Sequence, residues 1–410
     1  MMEQILFYLI IAFVVFEYAT DLCLDWLNRR SWSHEVPEPI RDVYDADTFE
    51  NHKRYRRVNF SFSQVSGAFS FVATLLVLSS GMLAMVDAWA ASITLHPVGR
   101  GLLFFAIIGV AASFFNLPFS WYQTFVIEQR FGFNTTTRRT FITDLLKGAL
   151  LSLLIGAPLM GGVMFLFEWL GEMFWVYAWL LISGFSVFMS MFYTSWILPM
   201  FNKQKPLDNG SLRDSIETFS LRSGFRLDNI YVMDGSKRST KANAFFSGLG
   251  SRKRIVLYDT LIRDLTESEI VAVLSHEVGH YKLKHTLWGM LAGIAQTGVL
   301  LFLLSLFVTT PELTKALGGE GVQFHIGLVA FGLLFSPISL VIGLMTNGLS
   351  RRNEYAADRF AANHADGQAL VSALKKLSVN SLGNPTPHPA YVWFHYSHPP
   401  LLQRIKALMS

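Results

Sequence analysis

The sequence predicts a mostly α-helical, multi-pass membrane protein of about seven transmembrane helices with a small α+β domain outside the bilayer. Three observations predict it. Of the 410 residues, 51% are hydrophobic and only 16% charged, against about 25% charged in an ordinary soluble domain. Seven apolar stretches are long enough, or nearly so, to cross a hydrocarbon core about 30 Å thick. Between the fifth and sixth lies a polar segment in which helical and strand patterns follow one another. The mean hydropathy of +0.36 agrees.

The stretches run Ile5–Leu27, Val65–Trp89, Gly101–Pro118, Leu145–Trp169, Phe174–Pro199, Leu287–Thr309 and Val322–Leu349. The first carries Glu17, Asp21 and Asp25, and the third is short. The first is expected to stay as a span and not to be cleaved as a signal peptide. Only Glu3 is charged before it, and no small-residue cleavage site follows. The charged, Pro-containing segment Ser33–Asn59 reads as a loop or peripheral element.

The loops alternate in basic content. Arg29, Arg30, Arg41, Lys53, Arg54, Arg56 and Arg57 follow the first span, only Arg100 follows the second, and Arg130, Arg138 and Arg139 follow the third. The fourth-to-fifth connection has none, 202–285 is strongly basic, the next loop has Lys315, and Arg351 and Arg352 follow the seventh span. This pattern predicts an outside N-terminus and a cytoplasmic C-terminus. It also explains the net charge of +4 and pI near 9.0 by topology, without nucleic acid as a partner. The single cysteine, Cys23, excludes an intrachain disulfide framework and any multi-cysteine metal site.

In the polar segment, Ser211–Ser223 reads as a helix, and Asn229–Met233 and Arg254–Tyr258 as strands bracketing a turn-rich 234–253. Leu265–Leu283 reads as a helix opened by Thr266, with Glu269 three residues later completing a capping box. That helix carries His276-Glu277-Val278-Gly279-His280. Histidines four apart project from one helix face and can ligate one zinc, and the glutamate between them can take a proton from a water activated by the metal.

Two histidines leave zinc short of a third protein ligand. His285 lies about 180° from His276 on an ideal helix, so it is expected to face away unless the helix breaks first. An extended metzincin spacing needs Gly at 283 and His at 286, where the chain has Leu283 and Thr286. Glu354 is the better candidate. With Asp358 four residues on, it shares a helix face, so Glu354 could ligate zinc while Asp358 fixes a ligand histidine's tautomer.

HEVGHYKLKH, SRRNEYAADRFA, YSHPPLLQRI, NAFFSGLGSRKRIVLYDTLI and FVIEQRFGFN, spread across nearly the whole chain, resemble the signatures of type I CAAX prenyl endopeptidases, integral-membrane zinc metalloproteases of the gluzincin kind. The resemblance implies His276, His280 and Glu354 as ligands of one Zn2+ per chain, Glu277 as general base and Asp358 as support for a ligand histidine. It implies His398 as a catalytic residue that binds substrate or stabilises the oxyanion, and Asn243 as substrate-binding. A histidine N–H suits an oxyanion, and an asparagine beside a strand edge suits an extended peptide.

The expected function is therefore zinc-dependent endoproteolysis of C-terminal CaaX-type, prenylated or other hydrophobic membrane-presented peptides, with the lipid bilayer as the remaining partner. A broad-specificity quality-control protease would share the site and differ in substrate; a seven-span transporter or receptor would leave the histidines incidental. The expected organisation is a five-span region over 1–200, a cytoplasmic peptidase part over 201–285, two spans over 286–349, and a C-terminal part over 350–410 bearing Glu354. The resemblance, in a compact chain, favours a bacterial inner membrane, or the endoplasmic reticulum in a eukaryote, with the site on the cytoplasmic side.

Overall fold

The computed structural model describes residues 1–33, 35–224, 230–247 and 254–410. Helix α1 spans Met2–Arg30 without interruption at Glu17, Asp21 or Asp25; Asp25 accepts a hydrogen bond from Gln64 at 2.6 Å, which offsets the cost of a carboxylate near lipid. Helix α2 (Ala46–Ser79) starts well before the second predicted span. Asp45 caps it by accepting from the Thr48 amide, and Phe49, His52 and Arg56 recur on one buried face, so part of the segment read as loop is helix. Gly81, at φ +72°, breaks the predicted span into α2 and α3 (Met82–Ile93).

Helix α4 (Pro97–Tyr122) runs through Pro118 and widens into a π turn over Gln123–Glu128, which exceeds the short third stretch expected. Helices α5 (Arg138–Leu151) and α6 (Ala157–Leu170) are followed by a turn at Gly171, φ +53°, and by α7 (Phe174–Phe192) and α8 (Leu198–Phe201). A Cβ on Gly162 would sit 3.2 Å from Leu181, and the Phe167 and Phe174 rings meet at 5.3 Å, so α7 doubles back along α6. Among the described residues, six helical stretches are long and apolar enough to cross a membrane. The 138–201 stretch holds two of the predicted spans, which reconciles the six with the expected seven.

The soluble part opens with β1 (Gln204–Pro206), α9 (Ser211–Ser223), β2 (Ile230–Met233), β3 (Ala244–Ser247), β4 (Arg254–Tyr258) and α10 (Asp259–Asp264). The sheet order is β1-β2-β4-β3, with β2 and β4 parallel and the outer pairs antiparallel. Strand β3 adds a strand to the segment read as turn-rich, 234–253: four residues with two aromatics are too short a run to show a period, and pairing with β4 decides their state. Residues 248–253, and Asn229 of the predicted first strand, lie outside the described residues.

Helix α11 (Glu267–Lys282) carries the predicted capping box, both bonds present. Then come α12 (His285–Val308), α13 (Pro311–Ala316), the 41-residue α14 (Phe324–His364), α15 (Gly367–Asn380), α16 (Pro389–His395) and α17 (Leu401–Met409). Two cores result. One, with Ile10, Phe104, Phe174, Val308 and Ile326 fully buried, sits in the helical bundle. The other, with Ile216, Ile255, Leu257, Leu274 and Val278, joins the sheet to α9 and α11. In the bundle, Asp87 on α3 pairs with Arg100 on α4 and meets His325 Nε2 on α14 at 2.8 Å. These polar partners satisfy one another in an apolar interior.

Buried Glu269 ties α11 to α15. It accepts from the Thr266 amide (2.8 Å), Ser372 Oγ (2.6 Å) and Lys376 Nζ (2.8 Å). Burial raises its pKa, but Lys376, Ser372 and Thr266 outweigh burial and hold it below the ordinary value. A depressed carboxylate stabilises the fold above its unfolded pKa and loses that contribution as pH falls through the folded value. Glu269→Gln should cost about 1–3 kcal/mol at neutral pH, read as a lower thermal midpoint, with the gap to wild type closing below about pH 4.

Candidate metal centre

Helices α11 and α14 cross at Gly279, where an added Cβ would approach Phe360 at 3.1 Å. A residue without a side chain lets the two backbones approach closely, bringing His276 and His280 against Glu354. Nε2 of His276 and Nε2 of His280 are 3.2 Å apart. Glu354 Oε2 lies 3.4 Å from His276 Nε2 and Oε1 lies 3.2 Å from His280 Nε2. These three side chains fit ligands around one tetrahedral zinc at about 2.0–2.1 Å, whose donor atoms stand roughly 3.3 Å from one another.

The chemistry of the donors fits as well as the spacing. Glu354 is 3% exposed and its Oε2 has no hydrogen-bond donor, an arrangement that a cation relieves. Burial works against a charged His276, yet hydrogen bonds to Asp358 and Glu354 raise its pKa to about 9. The two carboxylates thus hold positive charge at this imidazole, whether proton or metal. Burial raises the Glu354 pKa, but the two histidines outweigh it and keep the group ionised. No other group of three or more such ligands is found among the described residues.

Behind the histidines sit orienting groups. Asp358 Oδ1 meets His276 Nδ1 at 2.8 Å, leaving Nε2 directed at the Glu354 carboxylate. Asp358 is itself gripped by both arms of Arg404, at 2.8 and 2.6 Å, in the bidentate geometry that suits a carboxylate. Against expectation, His285 does not face away. Helix α11 ends at Lys282, Lys284 adopts φ +59°, and α12 restarts at His285. That break brings His285 Nδ1 to 3.1 Å from His280 Nδ1, on the ring edge opposite Nε2. His285 is thus placed to orient a ligand, as Asp358 is for His276. Asp358→Ala should lower zinc affinity about 10–100-fold, measured by titrating a chelator against the purified protein.

Glu277 points with His276, Glu354, His398, Arg404 and Asn243 into one cavity of about 170 Å³. Leu370, Leu374 and Leu377 of α15 form part of its apolar wall. Burial raises the Glu277 pKa. His398 stands at the mouth, its side chain 65% exposed, with Nε2 3.3 Å from Glu354 Oε1 and Nδ1 2.9 Å from Ser397 Oγ. Asn243 immediately precedes β3, and its carbonyl accepts from the Tyr258 amide at 3.0 Å. Among the described residues, β3 is the last strand of the sheet and pairs with β4 on one side.

The FVIEQRFGFN motif docks the strand leader onto the bundle. Lys241 Nζ bonds Glu128 Oε2 at 2.9 Å and Tyr55 Oη at 3.2 Å, and lies 4.3 Å from the Phe133 ring centroid. Tyr55 in turn donates to Glu128 at 2.6 Å. Arg404 and Lys241 escaped the residue-level reading. Arg404 stands six residues after His398 in YSHPPLLQRI, and a buried arginine facing two acidic positions was the available signal.

The chain is similar to known proteins over nearly its whole length. The CAAX prenyl protease N-terminal model, of five membrane helices, matches residues 27–203, and the peptidase family M48 model matches 206–410. A CAAX prenyl protease 1 homolog from Oryza sativa subsp. japonica is 34% identical over 414 residues, covering 97% of this chain and 96% of the relative. The Homo sapiens CAAX prenyl protease 1 homolog is 31% identical over 456 residues, covering 100% and 96%. The crystal structure of S. mikatae Ste24p superposes with a TM-score of 0.93 at 29% identity, covering 99% of both chains.

Proposed function

The chain belongs to peptidase family M48, with the N-terminal region of the CAAX prenyl proteases, and from that premise we propose that it cleaves prenylated, CaaX-type C-terminal peptides presented at the membrane. It is an integral-membrane zinc metalloendopeptidase. The observation that carries the assignment of residues is the His276–His280–Glu354 triangle, with Glu277 on the same cavity. These three residues hold one zinc ion per chain, with Asp358 and His285 orienting the two imidazoles. A metal ion bound by these residues would supply the Lewis acidity that lowers the pKa of a water and polarises a carbonyl.

The protein's own groups supply the remaining chemistry. Glu277 accepts the proton at its carboxylate and delivers it to the nitrogen of the leaving amine. His398, at the mouth, donates an N–H toward the oxygen that gains charge. The substrate backbone runs in extended form beside β3, where Asn243 fixes its register. The basic loops on the side of the HExxH segment support a site on the cytoplasmic face.

The substrate is tested by comparing a farnesylated CaaX peptide with the same peptide unprenylated and with a misfolded membrane protein fragment. The reading expects kcat/KM to be higher for the farnesylated peptide. Equal rates on all three would instead identify a broad-specificity quality-control protease.

A further inference from the structure

We propose that the pocket between the end of α1 and the first turns of α2 is a binding site for the phosphate headgroup of an anionic phospholipid. Trp26, Arg29, Arg30, Trp32 and Arg57 line a cavity of about 420 Å³ there. It stands where the first predicted span ends, on the basic side of the topology, at the depth expected of a bilayer–water boundary.

The guanidinium groups are held by aromatic faces. Arg30 lies 3.5 Å over Trp26 and Arg29 lies 4.8 Å over Phe60. Phe60 meets Trp32 edge-on at 6.0 Å, and Arg56 lies 4.3 Å over Trp32. A stacked guanidinium keeps its in-plane N–H donors free, so each is positioned without its hydrogen bonds being used. Among the described residues, no carboxylate forms an ion pair with Arg29, Arg30, Arg56 or Arg57.

Arg56 lies behind Trp32 and does not itself line the pocket. It is only 7% exposed, and among the described residues its Nε and both terminal nitrogens, Nε1 of Trp32 and Nε2 of neighbouring His52 have no hydrogen-bond partner. Burial pushes the Arg56 guanidinium down to about 10, with only Tyr396 and Tyr44 opposing it. Three arginines converging on one aromatic-walled pocket, none of them ion-paired among the described residues, describe a site for an anion. A topology signal alone requires positive charge in this loop, but not its convergence on an aromatic-walled pocket. The interfacial position and the indole walls favour a lipid phosphate over a soluble one.

The test uses the full-length protein in detergent, offered equal amounts of dioleoyl phosphatidylglycerol and dioleoyl phosphatidylcholine, with bound lipid counted by native mass spectrometry. The wild type should retain phosphatidylglycerol selectively, and R29Q/R30Q/R57Q should lose that selectivity by on the order of a hundredfold. The zinc content of that variant should stay at the wild-type level. Equal retention of the two lipids by the wild type would overturn the proposal, and that comparison needs no variant. Full selectivity in the triple variant would overturn it too. Displacement of the lipid by a large excess of inorganic phosphate would assign the site to a free anion, and would equally overturn it.

Discussion

Glu277→Gln should leave the metal in place and remove hydrolysis. Glutamine keeps the shape of the side chain, which lines the cavity beside His276 and Glu354 without being one of the three atoms that converge. What is lost is the capacity to receive a proton. General acid–base groups typically contribute about 10²–10⁴-fold, and this carboxylate is used twice, once from water and once toward the amine, which places the loss at the upper end. Single-turnover cleavage of a farnesylated CaaX peptide, with zinc measured on the same sample, checks it. Retained turnover would show that another group moves the proton.

Glu354→Ala should empty the centre itself. Its two oxygens lie 3.2–3.4 Å from three imidazoles, those of His280, His276 and His398. Removing it leaves two ligands, and the loss of affinity should exceed the roughly 10–100-fold that removing an orienting partner costs. The positive charge held at His276 also loses one of its two carboxylates. Zinc per chain after dialysis should fall close to none, with hydrolysis at background. Stoichiometric zinc in this variant would mean that another group completes the coordination.

Much of this centre was legible because helical geometry repeats. His276 and His280 lie one turn apart, as do Glu354 and Asp358, and Thr266 with Glu269 marked where the first helix begins. The spans were legible for the same reason: composition integrates over about twenty residues, so Glu17, Asp21 and Asp25 did not dissolve α1. Features set by single residues were not legible. The turn to His285 depends on Lys284 adopting a left-handed conformation that lysine seldom takes, and an unbroken helix sent that histidine to the wrong face. Strand β3 is fixed by its pairing with β4. The grips of Arg404 on Asp358 and of Lys241 on Glu128 bridge 46 and 113 residues, and no local pattern records contacts at that separation.

X-ray absorption at the zinc edge of the purified wild-type protein tests the central claim most directly. The geometry predicts two imidazole nitrogens and at least one oxygen around a single zinc, with no sulfur. A third imidazole, from His285 or His398, or the absence of zinc altogether, would contradict it.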